Sequence, residues 1–363
     1  MKTLHRVFFD DSREMKKVPD SSVDLVVTSP PYPMISMWDS VFSKQNPAVA
    51  AALRSSDGDG AFELMHRELD KVWRQVYRVL KNGGFACINI GDATRSVDGD
   101  FKMYLNHSRV LQCCLRLGFN ALPMILWRKQ TNAPNKFMGS GMLPAGAYVT
   151  LEHEYLLILR KGGKRVFKSD AEKTRRKQSA FFWEERNLWF SDFWEDLKGT
   201  RQSSIDTSLR ERSGAYPFEL AYRLINMFSL KEDTVLDPFL GTGTTMFAAM
   251  AAGRNSIGIE LDLNFREHIL SRIKNLVDDA NTLIRRRIQN HIRFVQSRLD
   301  AKKTTGYVNK HYGFPVMTRQ ETEILLEELT KIDVVGDCIF EVEYTPNGAG
   351  FIHNGSTLNS ENA

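Results

Sequence analysis

The chain has 363 residues, of which 42% are hydrophobic and 26% charged, and its formal net charge is +5. These values are typical of a soluble globular protein with room for one large α/β domain or two smaller ones. No apolar run approaches the roughly 18 residues of a membrane span, and the charged N-terminus lacks the apolar region of a secretory signal. The four cysteines lack metal-ligand spacing, so we expect a reduced, cytoplasmic protein without a metal or a membrane partner.

The N-terminal half alternates between strands and helices. A strand is predicted at 5–9, a turn and a buried strand at 20–27, an amphipathic helix at 61–80, a strand at 85–90, a helix at 107–117, and strands at 122–127 and 154–159. Strands that alternate with helices favour a doubly wound, mostly parallel α/β sheet.

The C-terminal half continues this alternation. A helix is predicted at 217–229, a strand at 234–237, a helix at 244–252, a strand at 256–260, a long Arg-rich helix or helix pair at 264–300, a helix at 318–330 and a strand at 338–344. The polar end of the chain is expected to be frayed.

One candidate site lies in the strand, turn and helix at 234–245, which contain Asp237-Pro-Phe-Leu-Gly-Thr-Gly-Thr-Thr. Gly241 and Gly243 allow the backbone to approach a ligand, and the helix N-terminus at Thr244 suits a carboxylate. Asp237 suits an ammonium group, and Glu260, about twenty residues beyond the glycines, suits ribose hydroxyls. S-adenosyl-L-methionine carries all three groups. The alternative is a purely structural glycine turn.

The second candidate site is Ser29-Pro30-Pro31-Tyr32, which directly follows the buried strand. It should therefore emerge at the carboxyl edge of the sheet, where ligands of α/β proteins bind. The alternative is a proline turn in which the tyrosine only packs against the core.

The two motifs together resemble the beta group of DNA amino-methyltransferases, in which an S/D-P-P-Y loop precedes the F-x-G-x-G cofactor loop. The resemblance covers about residues 5–275 and implies a Rossmann-like methyltransferase fold with circularly permuted motifs, S-adenosylmethionine as cofactor, and duplex DNA as substrate. The cofactor residues it implies are Asp11, Thr28, Pro217, Phe218, Asp237, Pro238, Phe239, Gly241, Gly243, Thr244, Thr245 and Glu260.

Ser29, Pro30, Pro31 and Tyr32 are the predicted catalytic residues. The lone pair of an exocyclic base amine is delocalised into the ring, so the amine is a poor nucleophile. Acceptors for its N–H bonds, the Ser29 hydroxyl and the Pro30 carbonyl, would localise that lone pair. The prolines stiffen the loop, and Tyr32 offers a face on which an extruded base can stack.

A basic stretch from Arg160 to Lys177 contains nine Lys and Arg residues and two acids, and aromatic residues follow it. It lies where the resemblance implies target recognition, although a basic run is usually only a solvated surface. The strand at 125–129 resembles the strand that lines the base pocket in this family. The alternative is an ordinary core strand. The predicted DNA-binding residues are Trp127, Lys129, Lys164, Arg165, Lys168, Arg175, Arg176 and Lys177.

Four units are expected: a catalytic half at 1–160, a target-recognition insert at 161–212, a cofactor-binding half at 213–275, and a C-terminal helical extension and tail at 276–363. In the family that the chain resembles, S-P-P-Y is most often associated with the N4 amine of cytosine and D-P-P-Y with N6 of adenine. With Ser29 the resemblance therefore favours cytosine N4, and adenine N6 stays open. A cognate restriction endonuclease is the expected functional partner. RNA or protein-amide methylation and a non-catalytic nucleic-acid-binding module are the remaining alternatives, and the sequence leaves the oligomeric state open.

Overall fold

A computed structural model describes residues 1–129, 138–198 and 216–346 of the chain. Its helices are α1 (Asp39–Gln45), α2 (Pro47–Arg54), α3 (Gly58–Val79), α4 (Asn106–Leu117), α5 (Asp170–Gln178), α6 (Trp183–Trp189), α7 (Phe218–Phe228), α8 (Thr244–Ala251) and α9 (Phe265–Asp300). Short 3-10 turns occur at Ser36–Trp38 and Arg319–Glu321.

The strands are β1 (Lys2–Phe9), β2 (Val23–Thr28), β3 (Leu80–Ile90), β4 (Ala93–Val97), β5 (Asp100–Tyr104), β6 (Phe119–Ala121), β7 (Ile125–Arg128), β8 (Met138–Gly139), β9 (Ala147–Tyr148), β10 (His153–Lys161), β11 (Phe193–Trp194), β12 (Thr234–Asp237), β13 (Asn255–Glu260), β14 (Tyr307–Val308), β15 (Pro315–Val316), β16 (Glu327–Gly336) and β17 (Ile339–Pro346).

The main sheet has the strand order β11-β7-β10-β3-β2-β12-β13-β1-β17-β16, and β6 also pairs with β10. Its five central strands, β3, β2, β12, β13 and β1, are all parallel, whereas β10 and β17 add to them in antiparallel orientation. β2 and β12 are direct neighbours, with Leu25 opposite Val235 and Val26 opposite Leu236. The strands that carry the two sequence motifs therefore end side by side.

Helices cover both faces of the sheet. Successive residues of a strand point to opposite faces, so a strand that is buried along its whole length needs cover on both. Val26 packs into a core with residues of α3 and α4, and Leu25 and Val27 pack into a second core with residues of α7, α8 and α9. Every residue of β2 is buried, including the polar Asp24 and Thr28 that flank its apolar centre. The expected doubly wound arrangement is present, and the long Arg-rich segment forms one continuous helix, α9.

The predicted helix at 318–330 is wrong. A 3-10 turn at Arg319–Glu321 is followed by β16, which pairs with β17. Its backbone is also held by α9, because the Asn281 side chain accepts from the Leu329 amide at 2.8 Å and donates to the Leu329 carbonyl at 2.9 Å. This tertiary pairing overrides the helix propensity of the Leu- and Glu-rich sequence. The expected strand at 338–344 is present as β17, and the polar tail after 346 lies outside the described residues.

Within the three described ranges, no helix is both long enough and apolar enough to span a bilayer.

Candidate active site

A cavity of about 1440 Å³ opens at the carboxyl edge of the five parallel strands. The residues that follow β1, β2, β3, β12 and β13 all contribute to its wall, as expected for a ligand site of an α/β sheet. Twelve of the residues predicted from the sequence line it: Asp11, Ser29, Pro30, Pro31, Tyr32, Lys129, Asp237, Pro238, Phe239, Gly241, Thr244 and Glu260.

The glycine turn after β12 has the backbone conformation that its sequence requires. Gly241 and Gly243 have φ angles of +51° and +85°, in the left-handed region that favours glycine. A Cβ on Gly241 would have no heavy atom within 4 Å, so this face of the turn is open. The turn leads directly into α8 at Thr244, whose first backbone N–H groups lack partners inside the helix. The turn and the helix start form a cradle for an anionic group.

Asp237 ends β12 as a buried carboxylate that is 3% exposed. Its Oδ1 accepts from Thr28 Oγ1 at 2.6 Å and from the Phe239 amide at 3.0 Å, and its Oδ2 accepts from Thr245 Oγ1 at 2.5 Å and Tyr216 OH at 3.3 Å. Burial raises the pKa of Asp237 above its usual value, although these donors oppose the shift. No cationic side chain in the described ranges pairs with it. A ligand ammonium group would therefore supply the cationic partner that this buried carboxylate lacks in the described ranges.

Glu260 ends β13 on the other side of the turn. Its carboxylate accepts from the Gly241 amide at 2.7 Å and from the Asp262 amide at 2.8 Å. Burial raises the pKa of Glu260 to about 7, and the nearby carboxylates of Asp262 and Asp237 add to this effect. Hydroxyl donors from a ligand would favour the ionised form of this side chain.

The Ser29–Tyr32 loop forms the facing wall. Tyr32 OH lies 3.0 Å from Ser29 Oγ, accepts from Asn89 Nδ2 at 2.8 Å and donates to Glu154 Oε2 at 2.9 Å. Burial of the hydroxyl, together with the negative charge of Glu154, raises the pKa of Tyr32 well above its usual value. The phenol therefore stays protonated, and its ring is held in one orientation at the cavity wall.

Asp11 follows β1 and is tied to Arg13, which donates to both carboxylate oxygens and also to Glu68 Oε2 at 2.6 Å. Burial alone would raise the pKa of Asp11, but the bonds and charge of Arg13 outweigh it and lower the pKa. The Asp11 carboxylate therefore stays ionised in a fixed position at the cavity wall.

Some predicted site residues do not line the cavity. Thr28 and Thr245 lie behind Asp237 as donors, and Gly243 packs against Phe247. Pro217 is the N-cap of α7, and Phe218 stacks on Tyr222 at 6.0 Å.

The prediction that Trp127 contacts DNA is contradicted. Trp127 is 1% exposed, and its indole Nε1 donates to the Leu197 carbonyl at 2.9 Å, so it belongs to the core.

The basic stretch lies at the edge of the sheet opposite the cavity, so its predicted contact with DNA stays a prediction. β10 runs antiparallel to β3, so the stretch after Lys161 begins at the amino edge of the parallel strands. Arg165 pairs with Asp233 at 2.6 Å and lies 3.6 Å from Asp24, near the start of β2, and Arg175 pairs with Glu232 at 2.7 Å.

Ser29 is five positions after Asp24 along extended chain, a distance of roughly 16 Å at the usual rise per residue. None of the following predicted DNA-binding residues lines the cavity: Lys164, Arg165, Lys168, Arg175, Arg176 and Lys177. Residues 199–212 of the predicted insert lie outside the described residues.

Sequence reasoning missed several residues of this site. Glu154 and Tyr216 line the cavity, and the Asn89 side chain donates a hydrogen bond to Tyr32 OH. Glu154 begins the strand predicted at 154–159, Tyr216 directly precedes the predicted cofactor residue Pro217, and Asn89 is a polar residue at the end of an apolar strand.

A model of the DNA methylase family matches residues 23–271, which is more than half of the chain. The chain belongs to this family. Methylases of this kind include the type II methyltransferase M.MthZI of Methanothermobacter thermautotrophicus, which is 54% identical over 327 residues (90% of this chain and 91% of the relative). M.MjaI of Methanocaldococcus jannaschii is 46% identical over 282 residues (75% of this chain and 91% of the relative). The family prediction is confirmed.

Solved structures share the fold of this methylase. The Thermus thermophilus protein TTHA0409 in complex with S-adenosyl-L-methionine is 31% identical, with a TM-score of 0.58 over 75% of this chain and 94% of that protein. The cytosine-N4-specific PvuII DNA methyltransferase is 18% identical, with a TM-score of 0.51 over 77% of this chain and 92% of that protein, and supports the fold alone. The predicted methyltransferase fold is confirmed.

Proposed function

We propose that this methylase binds S-adenosylmethionine and methylates the exocyclic N4 amine of a cytosine extruded from duplex DNA. The observation that carries this proposal is the single cavity in which Ser29 and Tyr32 face the glycine turn at Gly241. A methyl donor held at one wall and a base held at the other would meet there, and such positioning supplies much of the rate of a direct transfer.

The chain offers a partner for each polar part of the cofactor. Asp237 suits the ammonium group, the turn at Gly241 and the α8 N-terminus suit the carboxylate, and Glu260 suits the ribose hydroxyls. When bound, the cofactor supplies a methyl group activated by its sulfonium. Because the pKa of Glu260 is about 7, the side chain is partly protonated near pH 7, and hydroxyl donors would favour loss of that proton.

The opposite wall suits a flipped base. Ser29 Oγ and the Pro30 carbonyl would accept the two amine hydrogens and turn the nitrogen lone pair towards the methyl group. The Tyr32 ring offers a stacking face, because its hydroxyl is fixed behind it by Asn89 and Glu154. A serine hydroxyl also donates, which fits the acceptor N3 of cytosine beside its amine. Adenine N1 offers the same pattern, so the cytosine assignment rests on the resemblance of Ser29-Pro-Pro-Tyr.

The duplex would approach from the carboxyl edge of the sheet, where the cavity opens. Lys44 lines the cavity there and would contact backbone phosphates, whereas Lys129 pairs with Glu154 at the cavity wall and would lie near the extruded base. Because the relatives M.MthZI and M.MjaI are named type II methyltransferases, we propose that the methyl mark protects DNA from a cognate restriction endonuclease with the same recognition sequence.

The test incubates the purified protein with cofactor labelled on the methyl carbon and unmethylated plasmid DNA, and then analyses the nucleosides. N4-methylcytosine is the expected product, and RNA and protein offered as competitors should stay unlabelled. Modification-sensitive sequencing of the same plasmid gives the recognition site, and an endonuclease specific for that site should no longer cut. Exclusive formation of N6-methyladenine would overturn the cytosine assignment, and label in RNA or protein alone would overturn the DNA substrate.

A further inference from the structure

Glu154 is a cavity-lining carboxylate that holds the Tyr32 hydroxyl and takes no direct part in the proposed methyl transfer. It is the second residue of β10, and its side chain is 11% exposed. Oε2 accepts from Tyr32 OH at 2.9 Å and from Asn89 Nδ2 at 2.7 Å, and Oε1 accepts from Lys129 Nζ at 2.8 Å. One carboxylate thus joins side chains from the Ser29–Tyr32 loop, β3 and the end of β7.

The tyrosine end of this network is tightly enclosed. Tyr32 OH meets Ser29 Oγ, Asn89 Nδ2 and Glu154 Oε2 within 3.0 Å. A Cβ on Gly91 would lie 3.0 Å from Tyr32 Cε2 and 3.2 Å from Glu154 Cγ, so the β3 backbone packs against both side chains. The Gly91 backbone therefore limits movement of the ring on that side, and three polar neighbours hold its hydroxyl.

The lysine end of the network faces the cavity. Lys129 is 46% exposed at its side chain and lines the cavity wall, with its ammonium 5.6 Å from the Trp127 ring centroid. Trp127 lies directly opposite Glu154 in the pairing of β7 with β10 and is anchored by Leu197. Without Glu154, the flexible lysine would lose the anion that holds it at this wall.

We propose that Glu154 is a positioning residue of the base pocket, which holds the Tyr32 ring and the Lys129 ammonium in fixed places around an extruded base. This inference rests on the proposed function. Glu154 acts through Tyr32 and Lys129 and takes no proton from the base. Its removal should therefore impair methyl transfer and base capture while cofactor binding at Asp237 and Glu260 is retained.

The experiment compares wild-type protein with Glu154→Ala, Glu154→Gln, Tyr32→Phe and Tyr32→Phe/Glu154→Ala in single-turnover methylation of duplex DNA. Glu154→Ala should slow transfer by about 100-fold, the order expected for a misplacement near 1 Å. Glu154→Gln keeps an acceptor for Tyr32 and Asn89 but loses the charge that holds Lys129, so its rate should lie between those of wild type and Glu154→Ala. The double variant should be no slower than the slower single variant, because both changes break the same contact.

Glu341→Ala is the matched control. It removes a strand carboxylate that pairs with Lys2, and its strand, β17, lies at the opposite end of the strand order from β10. Its rate should equal that of wild type. Calorimetry should give cofactor affinities within about twofold for all variants, since a purely structural collapse would weaken them together.

Wild-type rates in both Glu154 variants, additive losses in the double variant, or loss of cofactor binding in Glu154→Gln would each overturn the positioning role. A wild-type protein that transfers no methyl group to DNA would overturn the proposed function, and this inference with it. The two failures are distinguished by the wild-type rate.

Discussion

Thr28 Oγ1 donates a 2.6 Å hydrogen bond to Asp237 Oδ1, although the two residues are 209 positions apart in the chain. They end the neighbouring parallel strands β2 and β12. Ser29 follows Thr28 directly, and the glycine turn follows Asp237. This bond therefore fixes the predicted catalytic loop against the predicted cofactor loop.

Thr28→Val should disturb both stability and cofactor binding. The substitution removes a donor from a buried carboxylate and keeps the side-chain shape, so the free energy of unfolding should fall by about 1.5–3 kcal/mol. The pKa of Asp237 should rise further, so a ligand ammonium group would meet a less ionised partner. Chemical denaturation and calorimetry with S-adenosylmethionine measure the two effects. Thr28→Ser keeps the hydroxyl and should stay near wild type, and a Thr28→Val protein with unchanged cofactor affinity would contradict this role.

The meeting of the two motifs could be predicted from the sequence because its causes are local. An apolar run such as that before Ser29 must be a buried strand, and a Gly-x-Gly before a helix must be a tight turn. Parallel strands in an α/β sheet end at one edge, so both loops had to reach that edge.

The rest depends on strand order, which local patterns do not encode. Glu154 reaches Tyr32 only because β10 pairs with β3, which pairs with β2. The same antiparallel pairing carries the basic stretch around Arg165 to the amino edge, a position that its charge alone does not reveal. The Leu329 region was predicted as helix because its pairing with β17 and its bonds to Asn281 are contacts between distant residues.

Cofactor affinity should depend on the ionisation of Glu260. Its pKa is about 7, raised by burial first and then by Asp262 and Asp237. Ribose hydroxyl donors favour the carboxylate, so binding should be strongest above pH 8 and weaken as the pH falls through 7. Well below pH 7 the dissociation constant should rise about tenfold per pH unit. Calorimetry between pH 5.5 and 8.5 measures this dependence. Glu260→Gln should bind the cofactor weakly at every pH. If this variant keeps the wild-type pH dependence, that dependence belongs to another group.

Cations at the two edges of the sheet should differ in their effect on DNA affinity. Lys168 and Lys177 are exposed on the stretch at the amino edge, whereas Lys44 is exposed at the rim of the cavity. Lys44→Ala should weaken duplex binding and reduce the salt dependence by about one released ion. Lys168→Ala/Lys177→Ala should bind DNA like wild type. Titration of a labelled duplex at several salt concentrations tests both, and the reverse order of effects would place the duplex at the amino edge.

Gly91→Ala should impair catalysis more than folding. Gly91 lies outside the left-handed backbone region, so alanine adds no backbone strain, but its Cβ would lie 3.0 Å from Tyr32 Cε2 and 3.2 Å from Glu154 Cγ. Both neighbours must move by a few tenths of an ångström, and they are the side chains that set the base pocket. The turnover number should fall about tenfold while cofactor affinity is unchanged, because misplacement near the reacting atoms is costly.

Gly163→Ala is the control for Gly91→Ala, since a Cβ there meets no atom within 4 Å, and its turnover number should match that of wild type. Structure determination of Gly91→Ala would show whether the Tyr32 ring has shifted. A shifted ring with wild-type turnover would mean that methyl transfer tolerates a displaced stacking face, and the base would then be held mainly by Ser29 and the Pro30 carbonyl. An unshifted ring with low turnover would instead locate the effect in the Glu154 carboxylate and its lysine.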